Sequence, residues 1–256
     1  MKVVLFCGGL GTRLREHTEA VPKPMVNIGH RPILWHLMKY YSHYGHNEFV
    51  LCLGHMGAQI KQYFIEYVEW ISNDFELNGA SNEIRLFNRD IADWKIIFAD
   101  TGINTCIGQR LRAVRRYIGD DEAFLANYSD GLSDLPLNDY LNLFRREDKV
   151  ASFVCARPSQ SFHTVEFGVD HLVQNVRLAS EADVWINVGF FAFKRTIFDY
   201  LHEGEDLVNE PFQRLIADRQ LLAYPHKGFW ACMDTFKDKK AFDEMDNKGD
   251  RPWQVW

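Results

Sequence analysis

The sequence lacks most of the features that mark secreted, membrane and nucleic-acid-binding proteins. Its five cysteines are scattered over 256 residues without a C-x-x-C pair, which indicates reduced thiols rather than a disulfide framework. No apolar run approaches the ~20 residues of a membrane span, and the N-terminus has no secretory pattern. The net charge is −6 and no dense basic stripe is present. These absences predict a cytoplasmic protein without a membrane or nucleic-acid partner.

Strand-like and helix-like segments alternate through residues 1–149. This alternation predicts right-handed crossovers and an α/β fold, with a doubly wound, mostly parallel sheet and helices on both faces. After residue 150, strand-like pieces at 163–169 and 172–178 predict a small additional β element. We expect one domain over 1–256, in which 72–93 is an irregular excursion and a candidate oligomer contact. The other predicted strands are 2–7, 48–53, 95–99, 123–128, 150–156, 187–193 and 221–225, and the helices are 31–44, 57–71, 108–118, 137–146, 195–202, 209–218 and 235–246.

A glycine-rich stretch follows the first predicted strand. Gly8, Gly9 and Gly11 lack the Cβ atoms that would hold a backbone away from a ligand, so several N–H groups can face phosphate oxygens. Neither the P-loop nor the complete G-x-G-x-x-G fingerprint is present. A tight turn without a ligand is the alternative for the glycines alone. Arg13 and the proline-flanked Lys23 add positive charge and favour a nucleoside triphosphate site.

Two aspartates occupy positions that suit a metal site. Asp130 follows the apolar run 123–126, which places a carboxylate at the carboxyl edge of a central strand. Asp234 lies just before the last predicted helix. Magnesium is commonly held by two carboxylates together with phosphate and water oxygens. The alternatives are an Asp-Gly turn at Asp130 and a helix N-cap at Asp234.

The motif G-G-x-G-T-R-L followed by P-K-P-M resembles the signature of the sugar-1-phosphate nucleotidyltransferases. The similarity is closest to the glucose-1-phosphate cytidylyltransferases and extends nearly from end to end. It implies transfer of CMP from CTP to a phosphorylated small molecule, such as glucose 1-phosphate, with release of pyrophosphate. It also implies that the protein forms a homo-oligomer. Matching stretches include Asp100-Thr101-Gly102, Tyr128-Ser129-Asp130-Gly131, Gly228-Phe229-Trp230 and Met233-Asp234-Thr235.

The resemblance also implies roles for individual residues, with nucleotide bound by the half 1–149. Asp130 and Asp234 would bind Mg²⁺, and Arg13 and Lys23 would stabilise the charge that develops during transfer. Arg110 matches a loop that meets the base and phosphates, which predicts CTP as the donor; a surface-helix arginine is an equal alternative. The implied nucleotide-binding residues are Phe6, Cys7, Gly8, Gly9, Leu10, Gly11, Thr12, Arg13, Lys23, Thr105, Arg110 and Ser129.

The half 150–256, which the resemblance assigns to the acceptor, departs from the family pattern. The R-F-G motif ends in His163 here, the lysine of E-K-P is lost beside Arg177, and N-G-G becomes Asn187-Val188-Gly189. An imidazole and an isopropyl group in place of glycines would narrow a sugar pocket. We therefore expect an altered acceptor site formed by His163, Arg177, Asn187 and Val188.

Three alternatives to a cytidylyltransferase that acts on glucose 1-phosphate remain at this point. The acceptor could be a non-sugar phosphate or phosphonate, or the donor could carry a base other than cytosine. The chain could also be an inactive, nucleotide-binding regulatory homologue. Retention of Asp130 and Asp234 together with Arg13 and Lys23 argues against the inactive homologue, which has no need of paired metal ligands.

Overall fold

The computed structural model of this chain describes residues 1–9, 21–158 and 163–256. Its strands are β1 (Val3–Phe6), β2 (Asn27–Ile28), β3 (Arg31–Pro32), β4 (Glu48–Leu53), β5 (Phe75–Asn78), β6 (Glu83–Leu86), β7 (Lys95–Asp100), β8 (Ala123–Asn127), β9 (Gly131–Ser133), β10 (Ala151–Ala156), β11 (His163–Phe167), β12 (Val173–Leu178), β13 (Ile186–Lys194), β14 (Leu221–His226) and β15 (Trp230–Cys232). The α-helices are α1 (Ile33–His43), α2 (Gly57–Ile65), α3 (Ile107–Ala113), α4 (Arg115–Ile118), α5 (Leu137–Glu147), α6 (Glu210–Ala217) and α7 (Phe236–Lys248). Short 3₁₀ turns span Lys23–Met25, Glu69–Ile71 and Arg195–Asp199.

A seven-stranded sheet in the order β14-β10-β13-β8-β1-β4-β7 organises the described chain. Neighbouring strands are parallel except at β13, which runs antiparallel to both β8 and β10. Strands β11 and β12 form a separate hairpin, as expected for the additional β element. The predicted doubly wound, mostly parallel α/β fold is therefore confirmed.

Strand β1 shows why both faces of the sheet carry helices. Val3 and Leu5 belong to one buried apolar cluster, whereas Val4 and Phe6 belong to another on the opposite face. Helices α1 and α5 contribute to the first cluster, and α3 and α6 contribute to the second. A strand buried on both faces is apolar at every position, which explains the continuous run that marks β1 in the sequence. No helix within the described ranges is long and apolar enough to cross a membrane.

The helix expected over 57–71 ends at Ile65, because the segment after it contacts the start of α1. Arg31 donates from Nη2 to the carbonyl oxygen of Val68 at 2.7 Å, and its guanidinium lies 4.2 Å from the ring centroid of Tyr67. The Tyr67 hydroxyl also accepts a hydrogen bond from Trp35 Nε1 at 2.8 Å. These tertiary contacts hold Val68 in an extended conformation, and no periodic pattern could reveal them.

Three further expectations need adjustment. The excursion over 72–93 contains the hairpin β5–β6, on which Leu77 is 55% exposed and Ile84 is 48% exposed. The helix expected over 108–118 is divided at Val114 into α3 and α4, and that over 195–202 is a 3₁₀ turn. The hairpin's exposed apolar side chains suit a contact between subunits, which stays a prediction.

His36 on α1 makes the fold sensitive to acid. It is 8% exposed; its Nε2 donates to the carbonyl oxygen of Ile28 at 3.1 Å, and its Nδ1 accepts from Trp253 Nε1 at 3.4 Å. The second bond requires an unprotonated Nδ1, because the indole nitrogen is only a donor. Burial lowers the pKa of His36 from 6.5 to about 4. Between these two pH values, His36 is therefore protonated in the unfolded chain but stays neutral in the folded protein.

We expect the free energy of unfolding to fall as the pH falls from 6.5 towards 4, since only the unfolded state gains the proton there. One such histidine contributes a slope of about 1.4 kcal/mol per pH unit, measurable by urea unfolding at several pH values. His36→Gln should flatten part of this slope, leaving the share of His46, whose pKa burial also lowers to about 4. The exposed His43 on the same helix provides the control His43→Gln, which should keep the wild-type slope. Equal slopes in all three proteins would contradict the assignment.

Candidate active site

The segments after β1 and β8 line a cleft of about 360 Å³ at the carboxyl edge of the sheet. Parallel strands end at the same edge, which is where open α/β sheets bind ligands. The cleft brings together seven of the predicted site residues: Phe6, Cys7, Gly9, Lys23, Ser129, Asp130 and Asp234. Pro24, Ile107 and Tyr128 complete its lining and were not predicted. Of these, Pro24 has a sequence signal in the P-K-P-M motif, and Tyr128 has one in the stretch Tyr128-Ser129-Asp130-Gly131.

Lys23 lies between the two predicted metal ligands. Its Nζ donates to Asp130 Oδ2 at 2.7 Å and to Asp234 Oδ1 at 2.6 Å. Burial alone would lower the pKa of Lys23, but the two carboxylates outweigh that effect and raise it. Burial raises the pKa of Asp130, while the ammonium of Lys23 opposes this change. The two carboxylates thus already converge on one positive charge.

A short two-stranded ribbon brings the two aspartates together. Strands β9 and β15 pair antiparallel, with Gly131 opposite Cys232, so Asp130 precedes one strand and Asp234 follows the other. The N–H of Met233 donates to the carbonyl oxygen of Asp130 at 2.9 Å, which ties the two segments at the site itself. Backbone hydrogen bonds therefore bring these two aspartates together, although they are far apart in the sequence.

Ser129 connects this ribbon to the glycine-rich segment. Its φ is +66°, a left-handed conformation that residues other than glycine rarely adopt. The Ser129 hydroxyl donates to the carbonyl oxygen of Phe6 at 2.7 Å, and its N–H donates to Asn127 Oδ1 at 3.1 Å. The side chain of Ser129 therefore links the loop that contains Asp130 to the carboxyl end of β1.

Arg110 is buried, at 2% exposure, so the alternative of a surface-helix arginine is wrong. The guanidinium acts as a brace, because it binds the backbone at or just after the carboxyl ends of β1, β4 and β7. Burial lowers the pKa of Arg110, but an arginine keeps its charge in such a site. Its hydrogen-bond acceptors, at 2.7–3.2 Å, are the carbonyl oxygens of Gly8, Leu53, Gly102 and Ile103 and the hydroxyl of Thr101.

This brace explains why residue 8 is a glycine. A Cβ on Gly8 would lie 2.1 Å from Nη1 of Arg110, whereas a Cβ on Gly9 would meet nothing within 4 Å. Gly8 therefore admits the guanidinium, and Gly9 leaves the cleft open. Thr105 belongs to the same loop as Gly102, where its Oγ1 lies 2.6 Å from the place of a Cβ on that glycine.

Four predicted residues, Leu10, Gly11, Thr12 and Arg13, lie outside the described residues, and their roles stay predictions. In the described part of the chain, no group of three or more His, Cys, Asp or Glu side chains could hold a metal ion. Asp130 and Asp234 are thus a two-carboxylate candidate that needs further oxygen ligands from a bound molecule.

Comparison with known proteins shows which family the chain belongs to. The family model described as Nucleotidyl transferase matches residues 2–238. The chain belongs to this family. It is 37% identical to a probable glucose-1-phosphate cytidylyltransferase of Bacillus subtilis and 35% identical to the glucose-1-phosphate cytidylyltransferase of Salmonella typhimurium, over the full length of both chains in each case.

Solved structures support the fold of this nucleotidyl transferase. A UDP-glucose pyrophosphorylase in complex with UDP-glucose superposes with a TM-score of 0.69 at 14% identity, covering 97% of this chain and 98% of that one. A putative glucose-1-phosphate thymidylyltransferase from Bacillus anthracis gives a TM-score of 0.68 at 14% identity, covering 96% and 94%. At such low identity these similarities show the fold alone.

The residues predicted to bind the acceptor require one correction. Val188 is 4% exposed and belongs to the apolar core, so the expectation that its isopropyl group narrows an acceptor pocket is wrong. Asn187 instead contacts the cleft indirectly, because its Nδ2 donates to the Tyr128 hydroxyl at 3.4 Å. Gly189 has a φ of +80°, and a Cβ there would lie 2.4 Å from the Tyr128 ring. The loop at 187–189 thus positions Tyr128.

The other two predicted acceptor residues lie on the hairpin β11–β12. His163 is exposed at the start of β11, opposite Leu178. Arg177 forms an ion pair with Glu166 across the same hairpin. The structure does not place either side chain in the cleft lining, and their contact with an acceptor stays a prediction.

Proposed function

We propose that this nucleotidyl transferase is a cytidylyltransferase. It transfers CMP from CTP to a phosphorylated small molecule, glucose 1-phosphate or a related sugar phosphate, and releases pyrophosphate. The observation that carries this proposal is the convergence of Lys23, Asp130 and Asp234 in one cleft beside the backbone of Gly9. The two relatives named as glucose-1-phosphate cytidylyltransferases support the choice of cytosine and of a sugar phosphate.

The aspartate pair fits a magnesium ion. Two carboxylate oxygens already bind a single cation, the ammonium of Lys23, at 2.6–2.7 Å. Magnesium prefers oxygen ligands and is commonly bound by one or two carboxylates plus substrate phosphates. When bound, the ion would neutralise negative charge on the phosphates. Asp130 and Asp234 would hold it, and Lys23, whose raised pKa keeps it protonated, would give a second positive charge to the same phosphates.

The reaction needs no covalent enzyme intermediate. An oxygen of the acceptor phosphate attacks the α-phosphorus of CTP in line, and the bond to pyrophosphate breaks as the new one forms. Two cysteines in or next to the cleft do not suit the role of nucleophile. Burial raises the pKa of both Cys7 and Cys232 to about 12, so these thiols stay protonated at neutral pH.

The proposal includes a cytoplasmic homo-oligomer. The five cysteines are all free, which suits a reducing compartment. The exposed apolar side chains of β5–β6 suit burial against a second copy.

Pyrophosphate release tests the proposed function directly. The protein is incubated with Mg²⁺, glucose 1-phosphate and one of CTP, UTP, GTP or dTTP, and each reaction is repeated without acceptor. We expect release that requires both CTP and the acceptor. Faster release with UTP, GTP or dTTP would contradict the assignment to CTP.

A further inference from the structure

A second cavity, of about 980 Å³, adjoins the cleft and shares Asp234 with it. Its walls come from the end of β10, the turn between β14 and β15, and the first turns of α7. Strand β10 ends at the same sheet edge as β8, because β13 between them is antiparallel to both. The cavity therefore continues the active-site edge of the sheet on the far side of Asp234.

Three basic side chains line this cavity, one from each wall: Arg157 after β10, Lys227 in the turn, and Lys237 on α7. Within the described ranges none of them forms an ion pair with a carboxylate. Arg157 does donate from Nη1 to the carbonyl oxygen of Ser180 at 3.4 Å, and it lies 5.6 Å from the ring centroid of Trp185. The three cations thus come together around one cavity in a chain whose net charge is −6.

The acidic side chains nearby already have partners. Asp238 accepts hydrogen bonds from the N–H and hydroxyl of Thr235 in the capping box of α7, at 2.8 and 2.9 Å. Asp134 binds Nε2 of His226 at 2.8 Å. Asp234 and Asp238 also line the cavity, and Asp234 is paired with Lys23, so the three cations outnumber the carboxylates that face them. In the cleft, by contrast, Lys23 is held by two carboxylates.

We propose that this cavity binds the non-reacting end of the acceptor, and that this end carries a second anionic group, a carboxylate or a phosphate. The inference rests on the proposed function, since the acceptor's first phosphate must lie on the other side of Asp234, next to CTP. Arg157, Lys227 and Lys237 then form charge-assisted hydrogen bonds with the second anion. Solvated surface cations are the alternative. Their origin in three different elements around one cavity bordered by Asp234 favours binding.

This arrangement offers a physical explanation for the departures from the family pattern in the predicted acceptor half. The lysine of the family's E-K-P motif is missing, and the neighbouring Arg177 is already paired with Glu166. The cavity beyond Asp234 supplies positive charge to the other end of the acceptor. One charge-assisted contact of this kind changes affinity about tenfold to a hundredfold.

Three acceptors with the same reacting phosphate test the inference: glucose 1-phosphate, glucuronic acid 1-phosphate and glucose 1,6-bisphosphate. With CTP and Mg²⁺ held constant, we expect kcat/KM to be at least about tenfold higher for one of the two doubly anionic acceptors than for glucose 1-phosphate. The two arms also distinguish a carboxylate from a phosphate as the preferred second anion.

Variants of the cavity then locate the preference. Lys227→Gln combined with Lys237→Gln should bring the ratio of kcat/KM values close to one, and Lys227→Glu should favour glucose 1-phosphate. Lys240→Gln is the matched control, because Lys240 lies on the same helix, pairs with Glu244 and does not line the cavity. Equal kcat/KM for the three acceptors, or a preference that all these variants retain, would overturn the inference.

Failure of the proposed function would look different. If CTP and every acceptor gave no pyrophosphate, calorimetric titration of the three acceptors into the CTP-bound protein would still test the cavity. Tighter binding of a doubly anionic acceptor, lost in the Lys227 variants, would support the cavity while rejecting catalysis. Equal affinities, or no binding by any of the three, would reject the cavity assignment.

Discussion

Asp130→Asn and Asp234→Asn should each lower kcat for CTP-dependent pyrophosphate release by roughly a thousandfold. An amide keeps the shape of the carboxylate but loses the charge that binds both Lys23 and, in our proposal, Mg²⁺. A catalytic metal contributes several kcal/mol of charge stabilisation, and about 1.4 kcal/mol corresponds to a factor of ten in rate. Initial rates of pyrophosphate release, measured over a range of Mg²⁺ concentrations, check this expectation.

The Mg²⁺ dependence separates a metal ligand from a structural residue. A variant that binds the ion more weakly should need more Mg²⁺ for half-maximal rate, whereas a misfolded variant loses rate at every concentration. Both variants should unfold at nearly the wild-type urea concentration, because 26% of the Asp130 side chain and 29% of the Asp234 side chain remain exposed. Asp139→Asn, on the exposed face of α5, is the control and should keep full turnover. Wild-type kcat in either active-site variant would refute the two-aspartate site.

The inner strands of the central sheet could be predicted because they are buried on both faces and so appear as continuous apolar runs. Strands β9 and β15 could not, because three residues are too few to show a period and their pairing is a tertiary event. Yet this ribbon is what places Asp130 beside Asp234. The sequence thus indicated which aspartates to consider, and the structure shows how they meet.

Individual site residues divide in the same way. Lys23 and the two aspartates could be proposed from the sequence, because each lies in a motif that retains the charged residue needed for the proposed chemistry. The direction of the Val188 side chain could not, since a glycine at that family position says nothing about where a side chain would point. The helical pattern over 108–118 predicted that Arg110 lies on a helix, but it did not predict that the side chain is buried. Its burial depends on carbonyl oxygens at or just after the ends of three separate strands.

Arg110→Met should destabilise the protein even in the absence of any nucleotide. The substitution removes every donor that the guanidinium supplies to Gly8, Leu53 and the loop over 101–103. Each buried acceptor left without a partner costs about 1–3 kcal/mol, and relaxation or entering water will recover part of the sum. We expect a loss of about 3–5 kcal/mol in the free energy of unfolding, the size found when one partner of a buried charged network is removed.

Arg110→Lys distinguishes a brace from a simple positive charge. Lysine keeps the charge but replaces a planar fork with a single ammonium that cannot reach loops from three strands at once. It should therefore recover only a minor part of the lost stability. Urea unfolding of the nucleotide-free protein measures both variants, and Arg112→Met on the exposed side of the same helix is the control. If Arg110 served only to bind CTP, the nucleotide-free Met variant would be as stable as the wild type, and the loss would be confined to the KM for CTP.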